Sequence, residues 1–403
     1  MKKVQMSLND KFKEAIPIID KLEANGFEAY FVGGSVRDSL LNLPIHDVDI
    51  ATSAFPNEIK NIFRRTVDVG IEHGTVMVLV EDIGYEITTF RTESTYQDFR
   101  RPDHVTFVRS LEEDLMRRDF TINALAMDKE GTVYDYFNGL EDLDNRLIRA
   151  VCDPYTRFHE DALRMMRAVR FQATLGFDIE PKTFDAIEKN NEILSKIAVE
   201  RIHEEFIKMM KGKHARAGLT SFIETELYNK CPFFSDKEAA LRKLTNRHGV
   251  IQTEVQVWAL LGYFAGLKDL QLTEVLRAWK SSNAVISASN RALNGLRDRL
   301  SDELSLESIY DLGSDLLKEI EWMVYLITGE PYNEDTIEVY KELPIHNRNE
   351  LAVDGGILMK ALDRRGGPWL GEILDDIERK VLYKKLTNDK DTLLGYAQTT
   401  LQK

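Results

Sequence analysis

The stretch Glu28–Thr52 reads EAYFVGGSVRDSLLNLPIHDVDIAT, and two short features within it determine how the chain is interpreted. The first is a Gly33-Gly34 pair that ends an apolar run and opens into the helix-like segment Val36–Leu41. Glycines let a backbone approach a phosphate closely, and the N–H groups at a helix start favour an anion. The second is Asp47-Val48-Asp49, whose two carboxylates share a face if the segment is a strand.

The glycine turn and the carboxylate pair together favour phosphoryl chemistry. Like charges held this close repel unless a cation lies between them. Carboxylate oxygens suit Mg²⁺, and a pair of Mg²⁺ ions is a common clamp for in-line displacement at phosphorus. Each feature alone is more often a plain turn or a solvated strand edge. Their combination resembles the signature of the polymerase-β-type nucleotidyltransferases.

The composition narrows the class of protein. A chain of 403 residues exceeds one ordinary hydrophobic core, so we expect roughly two to four domains. Its two cysteines, Cys152 and Cys231, form no metal-ligand spacing and no disulfide framework, which favours a reducing cytosol. No secretory signal or bilayer-spanning run is visible, so we expect a cytoplasmic protein without membrane association. The net charge of −14 excludes a generic nucleic-acid binder, and bound RNA would have to follow local basic clusters.

Residues 1–149 mix helical and strand-like patterns. Ser7–Asn25 has helical periodicity, with Ser7 as the expected N-cap and Gly26 after its end. Ser110-Leu-Glu-Glu113 has the pattern of a capping box that opens a short helix through Arg118. The predicted strands are Ala29–Val32, Asp47–Ala51, Thr66–Val69, Thr75–Val80, Tyr85–Phe90 and Val105–Val108, with short helices at Val36–Leu41 and Pro56–Phe63.

From about Pro154 onward the strand-like patterns end and a 3.6-residue period takes over. The predicted helices there are Glu160–Leu175, Pro181–Ser195, Val199–Lys211, Val255–Phe264, Glu274–Ala278, Val285–Leu300, Asp315–Thr328 and Trp369–Lys384. The expected fold class is therefore α+β. An N-terminal head with a small mixed or antiparallel sheet and helices would be followed by all-helical modules.

A third motif, Arg117-Arg118-Asp119, continues into Phe120–Ala124 and has two interpretations. A string of this kind at a helix end is commonly a surface salt-bridge cluster. Alternatively, one arginine reaches a triphosphate or a sugar through its rigid fork, while Asp119 and Asn123 fix the loop.

A fourth motif, EDALRMMRAVR at Glu160–Arg170, spaces Asp161, Arg164, Arg167 and Arg170 three residues apart, so neighbours in the series are expected side by side on one helix. The simpler interpretation is an amphipathic helix with an ion pair between positions 161 and 164. The other interpretation is base recognition, because Asp accepts and Arg donates hydrogen bonds. Cytosine and adenine present an amine donor beside a ring-nitrogen acceptor, whereas uracil and guanine present the reverse. An Asp–Arg pair would therefore accept C and A without a nucleic-acid template.

Read in order, GGSVRD, DVD, RRDFTINA and EDALRMMR resemble the motif series of the class II CCA-adding enzymes (tRNA nucleotidyltransferases) and their bacterial poly(A) polymerase relatives. The segment Asn349–Leu394 resembles the family's C-terminal tail, where a Gly-Pro turn precedes a basic helix that holds tRNA. The resemblance implies that Asp47 and Asp49 hold Mg²⁺, with Glu86 as a third catalytic carboxylate. The nucleotide-binding residues that it implies are Gly34, Arg37, Arg118, Asp161, Arg164, Arg167 and Arg170.

The resemblance also implies a division of the chain. It predicts a catalytic head at 1–149, a helical neck with base recognition at 150–215, a helical body at 216–305 and a helical, tRNA-binding tail at 306–403. Arg91–Arg109 is rich in charge and has the simple interpretation of a surface loop. In the family, this loop is needed for the final adenosine, and enzymes that add only CC have it shortened.

The expected function is template-independent addition of CCA to the 3′ end of tRNA, with CTP and ATP as substrates, Mg²⁺ as cofactor and pyrophosphate as product. A poly(A) polymerase or a CC-adding enzyme would use the same chemistry. From another class, a non-catalytic RNA-binding module is the alternative, and the intact Asp47/Asp49 pair argues against it. The sequence leaves the oligomeric state open.

Overall fold

The computed structural model describes residues 1–93, 96–97, 101–102, 105–302 and 304–401. The chain divides into two compact units, Met1–Glu238 and Ala239–Lys403, each of which is described by itself. The expected α+β class is confirmed, because the main sheet lies in the first part of the chain and helices follow it. The finer division into head, neck, body and tail stays a prediction.

The main sheet of the first unit has eight strands. The strands of the chain are β1 (Lys2–Gln5), β2 (Ala29–Val32), β3 (Asp49–Thr52), β4 (Thr66–Gly70), β5 (Thr75–Val80), β6 (Ile83–Thr89), β7 (Arg91–Glu93), β8 (Tyr96–Gln97), β9 (Arg101–Pro102), β10 (Val105–Phe107), β11 (Leu125–Met127), β12 (Thr132–Asp135), β13 (Leu147–Ile148) and β14 (Asp178–Ile179). The order in the sheet is β1-β12-β11-β2-β3-β6-β5-β4. Only β3 and β6 run parallel in it, so the sheet is mixed, as expected.

Alternating burial marks some of the predicted strands, although β4 was predicted with no buried residue and β12 was missed despite its alternation. In β5, Val76 and Val78 are buried while the residues between them are partly exposed, which gives the two-residue period. By contrast, β1 is exposed along its whole length and β11 is buried along its whole length, so neither alternates. The prediction missed β1, β11 and β12.

The helices have the following bounds. Those in the first unit are α1 (Asp10–Glu23), α2 (Gly34–Leu40), α3 (Pro56–Ile62), α4 (Leu111–Met116), α5 (Gly139–Asp144), α6 (Pro154–Glu160), α7 (Leu163–Leu175), α8 (Pro181–Asn190), α9 (Val199–Met210) and α10 (Ala215–Glu224). The remaining ones are α11 (Glu238–Thr245), α12 (Glu254–Phe264), α13 (Asp269–Ala278), α14 (Asn283–Ser301), α15 (Leu306–Thr328), α16 (Asp335–Lys341), α17 (Gly355–Ala361), α18 (Pro368–Leu382) and α19 (Lys390–Leu401). None of the helices in the described part of the chain has the length and apolar character needed to span a bilayer.

Helix α1 covers the sheet with an apolar face that includes Phe12, whose ring centroid lies 4.7 Å from that of Phe31 on β2. The expected N-cap Ser7 is wrong. The side chain of Asn9 caps the helix by accepting from the backbone N–H of Phe12, and the helix begins at Asp10. Gly26 follows its end with φ +84°.

Helices α7, α9 and α10 of the first unit pack together. Helix α7 contacts both of the others. The contact between α7 and α10 is close because it has glycine in it: a Cβ on Gly218 would lie 2.4 Å from the carbonyl oxygen of Val169. The expectation of no strands after Pro154 has one small exception. The two-residue strand β14 pairs in parallel with β13.

The second unit is helical throughout its described residues. Its first part packs α14 against α12 and α15, around Trp258 and Trp279, whose rings meet edge to face with centroids 5.2 Å apart. Gly313, with φ +75°, kinks α15. A separate apolar cluster, which includes Trp369 and Ile377, joins α17, α18 and α19.

Candidate active site

The turn between β2 and α2 brings the backbone against an arginine. Gly33 has φ +71°, a left-handed conformation that residues with a side chain rarely adopt. A Cβ on Gly33 would also lie 2.9 Å from Nη1 of Arg118. The hydroxyl of Ser35 donates to the carbonyl oxygen of Val32 at 3.1 Å and fixes the turn. The backbone conformation of Gly33 and its distance from Arg118 both favour glycine at this position. The predicted residues Gly34 and Arg118 line one cavity.

Arg37, on the second turn of α2, is buried and held on both sides. Its Nη1 donates to Oδ1 of Asn123 at 2.6 Å, and its Nε and Nη2 donate to Oδ1 of Asp38 at 2.8 and 2.7 Å. Its guanidinium also lies 5.0 Å from the ring centroid of Phe171. These contacts fix a positive charge in the wall of the cavity that Gly34 lines.

The carboxylates predicted to hold a metal lie where β3 begins. Asp49 is the first residue of β3, and Asp47 precedes the strand, so the predicted strand start at position 47 is wrong by two residues. The argument that two strand residues share a face therefore does not describe this pair. Glu86 lies on β6, and the pairing register of β3 with β6 brings it level with Asp49. All three carboxylates line one cavity.

The charges at Asp47 and Asp49 suit a divalent cation. Desolvation by the surrounding protein raises the pKa of Asp49, Arg118 lowers it, and the neighbouring charge of Asp47 raises it further. A cation between the two carboxylates would relieve that repulsion. Among the described residues, no group of three or more His, Cys, Asp or Glu side chains converges to hold a metal. Asp47 and Asp49 line the same cavity, and carboxylate oxygens are ligands that a divalent cation such as Mg²⁺ prefers.

Asp119 of the third motif is buried and holds two parts of the site together. Its Oδ2 accepts from Arg167 Nε at 2.7 Å, and its Oδ1 accepts from Asn123 Nδ2 at 2.9 Å. Burial opposes its ionisation, but Arg167 and the hydrogen bonds from Asn123 and the backbone N–H of Phe120 outweigh that and hold the pKa of Asp119 well below its usual range. Asp119 is therefore a charged anchor within the fold, and the surface salt-bridge interpretation does not describe it.

The fourth motif was predicted to lie on one continuous helix, but the helix is interrupted. Helix α6 ends at Glu160, Asp161 has an extended backbone, and α7 begins at Leu163. Asp161 therefore does not share a helix with the three arginines. Its Oδ1 accepts from the backbone N–H of Leu163 at 3.0 Å, as a residue at a helix start does.

The predicted ion pair between Asp161 and Arg164 is also absent among the described contacts. Arg164 Nη1 donates to Oε2 of Glu160 at 2.7 Å, and Nη2 donates to the carbonyl oxygen of Arg117 at 2.8 Å. Asp161 instead accepts from Nη2 of Arg201 at 2.8 Å. The acceptor Asp161 and the donor Arg164 are therefore held by different partners. Both side chains line the same cavity.

Helix α9 supplies two functional candidates that the sequence analysis missed. Arg201 contacts Asp161, and Glu205, one turn later, accepts from Arg170 Nε at 2.8 Å and lies 3.7 Å from Nη1 of Arg167. Glu205 is almost fully buried, which is rare for a carboxylate unless it is paired. The signal was present in the sequence as opposite charges four residues apart on a predicted helix, but such a pair is usually a solvated helix face.

The cavity that Gly34 and Arg118 line has a volume of about 700 Å³ and is the larger of the two cavities at this site. Most of the predicted site residues line it. It contains Gly34, Arg37, Arg118, Asp161, Arg164, Arg167 and Arg170, together with Asp49 at one edge. Eight arginines and three aspartates line it, so its walls are strongly positive. A site of this size and charge suits a nucleoside triphosphate.

A second cavity, of about 360 Å³, is also lined by Asp49. Asp47 and Glu86 line this one and not the first. Lys11, Glu14, His46 and Tyr85 also line it with polar groups. Asp49 thus lines both the arginine-lined cavity and the cavity that carries the other two carboxylates.

Much of the predicted loop Arg91–Arg109, including Arg100–Asp103, falls outside the described residues or their described side chains. The two ends of the segment are described. There, β7 and β10 pair in antiparallel fashion. Arg109 pairs with Glu58 at 3.1 Å and lies 4.1 Å from the ring centroid of Phe55.

Three family models match successive parts of the chain. The Poly A polymerase head domain matches residues 29–149. The probable RNA and SrmB-binding site of polymerase A matches residues 176–237, and the putative tRNA nucleotidyltransferase domain 2 matches residues 250–397.

Curated relatives match over nearly the full length. The chain is 53% identical over 393 residues to the CCA-adding enzyme of Enterococcus faecalis, covering 97% of each chain. The chain belongs to the CCA-adding enzyme family. It is also 49% identical to the enzyme of Ligilactobacillus salivarius, covering 98% of each chain. The crystal structure of the Bacillus stearothermophilus CCA-adding enzyme in complex with CTP matches it with a TM-score of 0.89, 40% identity and 98% coverage of both chains.

Family membership confirms the assignment made from the four ordered motifs, and with it the prediction of a nucleotidyltransferase. The relatives named here are CCA-adding enzymes. The poly(A) polymerase and CC-adding alternatives are therefore not favoured, and a non-catalytic RNA-binding module is not supported. Nucleotidyltransferases of this family use a divalent metal in general.

Proposed function

We propose that this chain adds cytidine, cytidine and adenosine in turn to the 3′ end of tRNA, using CTP and ATP and releasing pyrophosphate. The observation that carries the proposal is the arginine-lined cavity. It has Asp49 at one edge and the acceptor–donor set of Asp161 and Arg164 in its wall. One site can therefore hold a triphosphate near a carboxylate and read a base edge with protein groups alone.

At the phosphate end, the proposed contacts are the turn at Gly33-Gly34 and the guanidinium groups of Arg37 and Arg118. The missing Cβ atoms allow the triphosphate to approach the backbone, and the two arginines are held in the cavity wall by other side chains. Guanidinium groups bind phosphate oxygens in a fixed fork geometry. These residues would orient the triphosphate so that its α-phosphorus faces Asp49.

The reaction that we propose is an in-line displacement. The oxygen of the tRNA 3′-hydroxyl forms a bond to the α-phosphorus, the bond to the bridging oxygen breaks, and pyrophosphate leaves. The hydroxyl proton passes to a nearby carboxylate or to water, with Asp49, Asp47 and Glu86 as the candidates. Attack and departure require opposite sides of the phosphorus, which fits a carboxylate, Asp49, that lines two cavities. The smaller cavity is then the entry side for the tRNA end.

Mg²⁺ is the metal that we propose for Asp47 and Asp49, because it prefers carboxylate oxygens and keeps several other ligands. When bound, it would stabilise the negative charge that develops on the phosphate oxygens. Glu86 lies level with Asp49 in the neighbouring strand and lines the same cavity as Asp47. We assign it to the reacting end of the site rather than to nucleotide binding.

At the base end, the proposed readers are Asp161 and Arg164, with Arg167 and Arg170 assisting. Cytosine and adenine would donate an amine hydrogen to Asp161 and accept from Arg164. Uracil and guanine would present a carbonyl acceptor to Asp161 and a ring N–H donor to Arg164, so neither pair would form a hydrogen bond. A buried unpaired group costs about 1–3 kcal/mol. Arg164 donates to Glu160 and to the backbone carbonyl oxygens of Arg157 and Arg117, and these contacts hold its guanidinium in the cavity wall.

We assign tRNA recognition to the predicted neck, body and tail, which would bind its backbone and shape. A-form RNA helices are recognised in this way more often than by base sequence. The cytoplasm is the proposed location, supported by two unpaired cysteines.

The decisive test incubates the purified protein with tRNA that lacks CCA, with tRNA ending in C or CC, and with each labelled nucleotide. Sequencing of the 3′ ends should show CCA completed from CTP and ATP, with no addition from UTP or GTP. Addition of A alone to any RNA, or arrest after CC, would contradict the proposal. A tRNA that already ends in CCA serves as the control and should not be extended.

A further inference from the structure

Asp114 is a buried carboxylate beneath the arginine-lined cavity that the proposed chemistry does not use. It lies on α4, its side chain is 0% exposed, and it does not line the cavity. Its neighbours Leu111 and Leu115 belong to an apolar core cluster. An ionised carboxylate in such surroundings is costly unless it is paired, so its partners indicate why it is there.

The partners of Asp114 are three arginines, and all three line the cavity. Its Oδ1 accepts from Nη2 of Arg117 at 2.8 Å and from Nε at 3.0 Å. Its Oδ2 accepts from Nη2 of Arg118 at 3.3 Å. Oδ1 also accepts from the backbone N–H of Arg91, at the start of β7, at 3.3 Å. One carboxylate therefore fixes residues from two separate segments of the cavity wall.

Arg118 is positioned closely by this contact. Its Nη1 lies 2.9 Å from the position that a Cβ on Gly33 would take, so it borders the glycine turn. Arg117 bears on the base end, because its carbonyl oxygen accepts from Arg164 at 2.8 Å. Asp114 thus contacts residues that face the phosphate end and residues that face the base end of the cavity, without reaching the ligand itself.

We propose that Asp114 is a positioning residue for nucleotide binding, which acts by orienting Arg118 toward the triphosphate and by anchoring Arg117 and the first residue of β7. The inference rests on the proposed function. Its physical basis is that Asp114 offers acceptors on both oxygens, whereas an asparagine in its place would present an amide donor to one of the two guanidinium groups. That arginine would then turn away from the carboxylate position.

The test is a double-mutant cycle with Asp114→Asn and Arg118→Ala, with CTP addition as the readout. Asp114→Asn should raise the KM for CTP about tenfold or more, the usual worth of a charged hydrogen bond, and leave the KM for tRNA unchanged. In the Arg118→Ala background the same change should have a smaller effect, because only the contacts of Asp114 with Arg117 and with the first residue of β7 remain to be lost. Independent, multiplying losses in the two variants would overturn the inference, as would a wild-type KM for CTP in Asp114→Asn.

Glu321→Gln is the matched control for the loss of a buried carboxylate that pairs with arginine. Glu321 is buried in the second unit and accepts from Arg299 Nε at 2.8 Å. This variant should lose stability and keep the KM for CTP. If the wild-type protein adds no nucleotide, the proposed function is wrong. If the wild-type protein is active and the double-mutant cycle shows no coupling, only the inference about Asp114 is wrong.

A second comparison covers the case in which Asp114→Asn does not fold. Asp114→Asn/Arg117→Gln removes both members of the pair and leaves no unpaired charge buried between them. Relative to Arg117→Gln alone, it should raise the KM for CTP further, because Arg118 still loses its partner. Equal KM values in these two variants would overturn the inference.

Discussion

Asp161 shows why single residues decide the chemistry of this site. It stands in a break between two helices, where its backbone is extended and its carboxylate is free to accept from side chains on other elements. In the continuous helix that was predicted, Arg164 would have been its neighbour one turn away. The break therefore lets the acceptor and the donor of the proposed base-reading set approach a base edge from different directions.

Replacing Asp161 by alanine should weaken discrimination between bases. We expect the ratio of kcat/KM for CTP over UTP to fall about tenfold or more, the cost of one buried unpaired group. Single-turnover addition of each nucleotide to tRNA ending in C measures the ratio. Asp185→Ala, which breaks an exposed pair with Lys189, is the control and should change nothing. An equal loss for all four nucleotides would contradict base reading.

Loss of either proposed metal ligand should stop incorporation without releasing tRNA. In Asp47→Ala or Asp49→Ala, turnover is expected to fall by about a thousandfold or more, because charge stabilisation at the phosphate is worth several kcal/mol. Quenched-flow incorporation and tRNA binding measure the two quantities. Asp68→Ala, an exposed position on β4, should behave as wild type. Appreciable turnover in either active-site variant would argue against the metal pair.

Asp119 predicts a pH dependence of stability with a defined sign. Its pKa is held below the ordinary value of about 3.9, so its contribution is complete above that value and is lost as pH falls through the folded-state pKa. Asp119→Asn should cost about 3 kcal/mol at pH 7, because Arg167 loses its buried partner. Urea unfolding should show the same difference at pH 7 and pH 5 and a smaller one at pH 3. A difference that stays constant to pH 3 would contradict this assignment.

At the scale of elements, the packing of α7 depends on glycine. Gly218→Ala would place a Cβ 2.4 Å from the carbonyl oxygen of Val169 and force α7 and α10 apart. We expect a loss of about 1–3 kcal/mol in stability, together with a higher KM for CTP, because α7 carries Arg164. Gly371→Ala on α18 meets nothing within 4 Å and should be neutral or stabilising. Equal melting temperatures for the two variants would refute the packing argument.

Elements with a clear period were predictable, and those set by tertiary contacts were not. The bounds of β5 were predicted as observed because it is rich in valine, with Val76 and Val78 buried on either side of the partly exposed Met77. The break at Asp161 was missed because the residues around it have helical spacing, and the contact of Asp161 with Arg201 on another helix leaves no mark in the local sequence. The start of α1 was also missed, because Ser7 and Asn9 are both residue types that favour the N-cap position. The folded structure uses Asn9.

The same limit applies to the candidate site. Gly34 and Arg118, which line the larger cavity, could be named because their motifs occur together in the order of a known family, although each motif alone has an ordinary structural explanation. Glu205 and Asp114 could not, since a carboxylate in a helix is ordinarily solvated and only burial marks these two as exceptions. Sequence thus identifies groups that touch a ligand more readily than groups that hold them.

At the scale of the whole molecule, charge is unevenly distributed. The chain carries −14 overall, while arginines exceed aspartates by five in the wall of the larger cavity. A phosphate-bearing ligand is therefore attracted locally and repelled by the rest of the surface. This combination favours ligands that fit the cavity over polyanions that bind by charge alone.

We therefore predict weak binding to nucleic acids other than tRNA. Duplex DNA of similar length should bind with a Kd weaker than about 10⁻⁴ M at physiological salt, the weak end of the range for non-specific binders. Binding of tRNA should be tighter and should weaken with rising KCl, because backbone contacts release counterions. Titrations of both ligands between 50 and 200 mM KCl, within the range where such screening acts, test this directly. Micromolar affinity for duplex DNA would show that basic surface, and not fit to tRNA, governs binding.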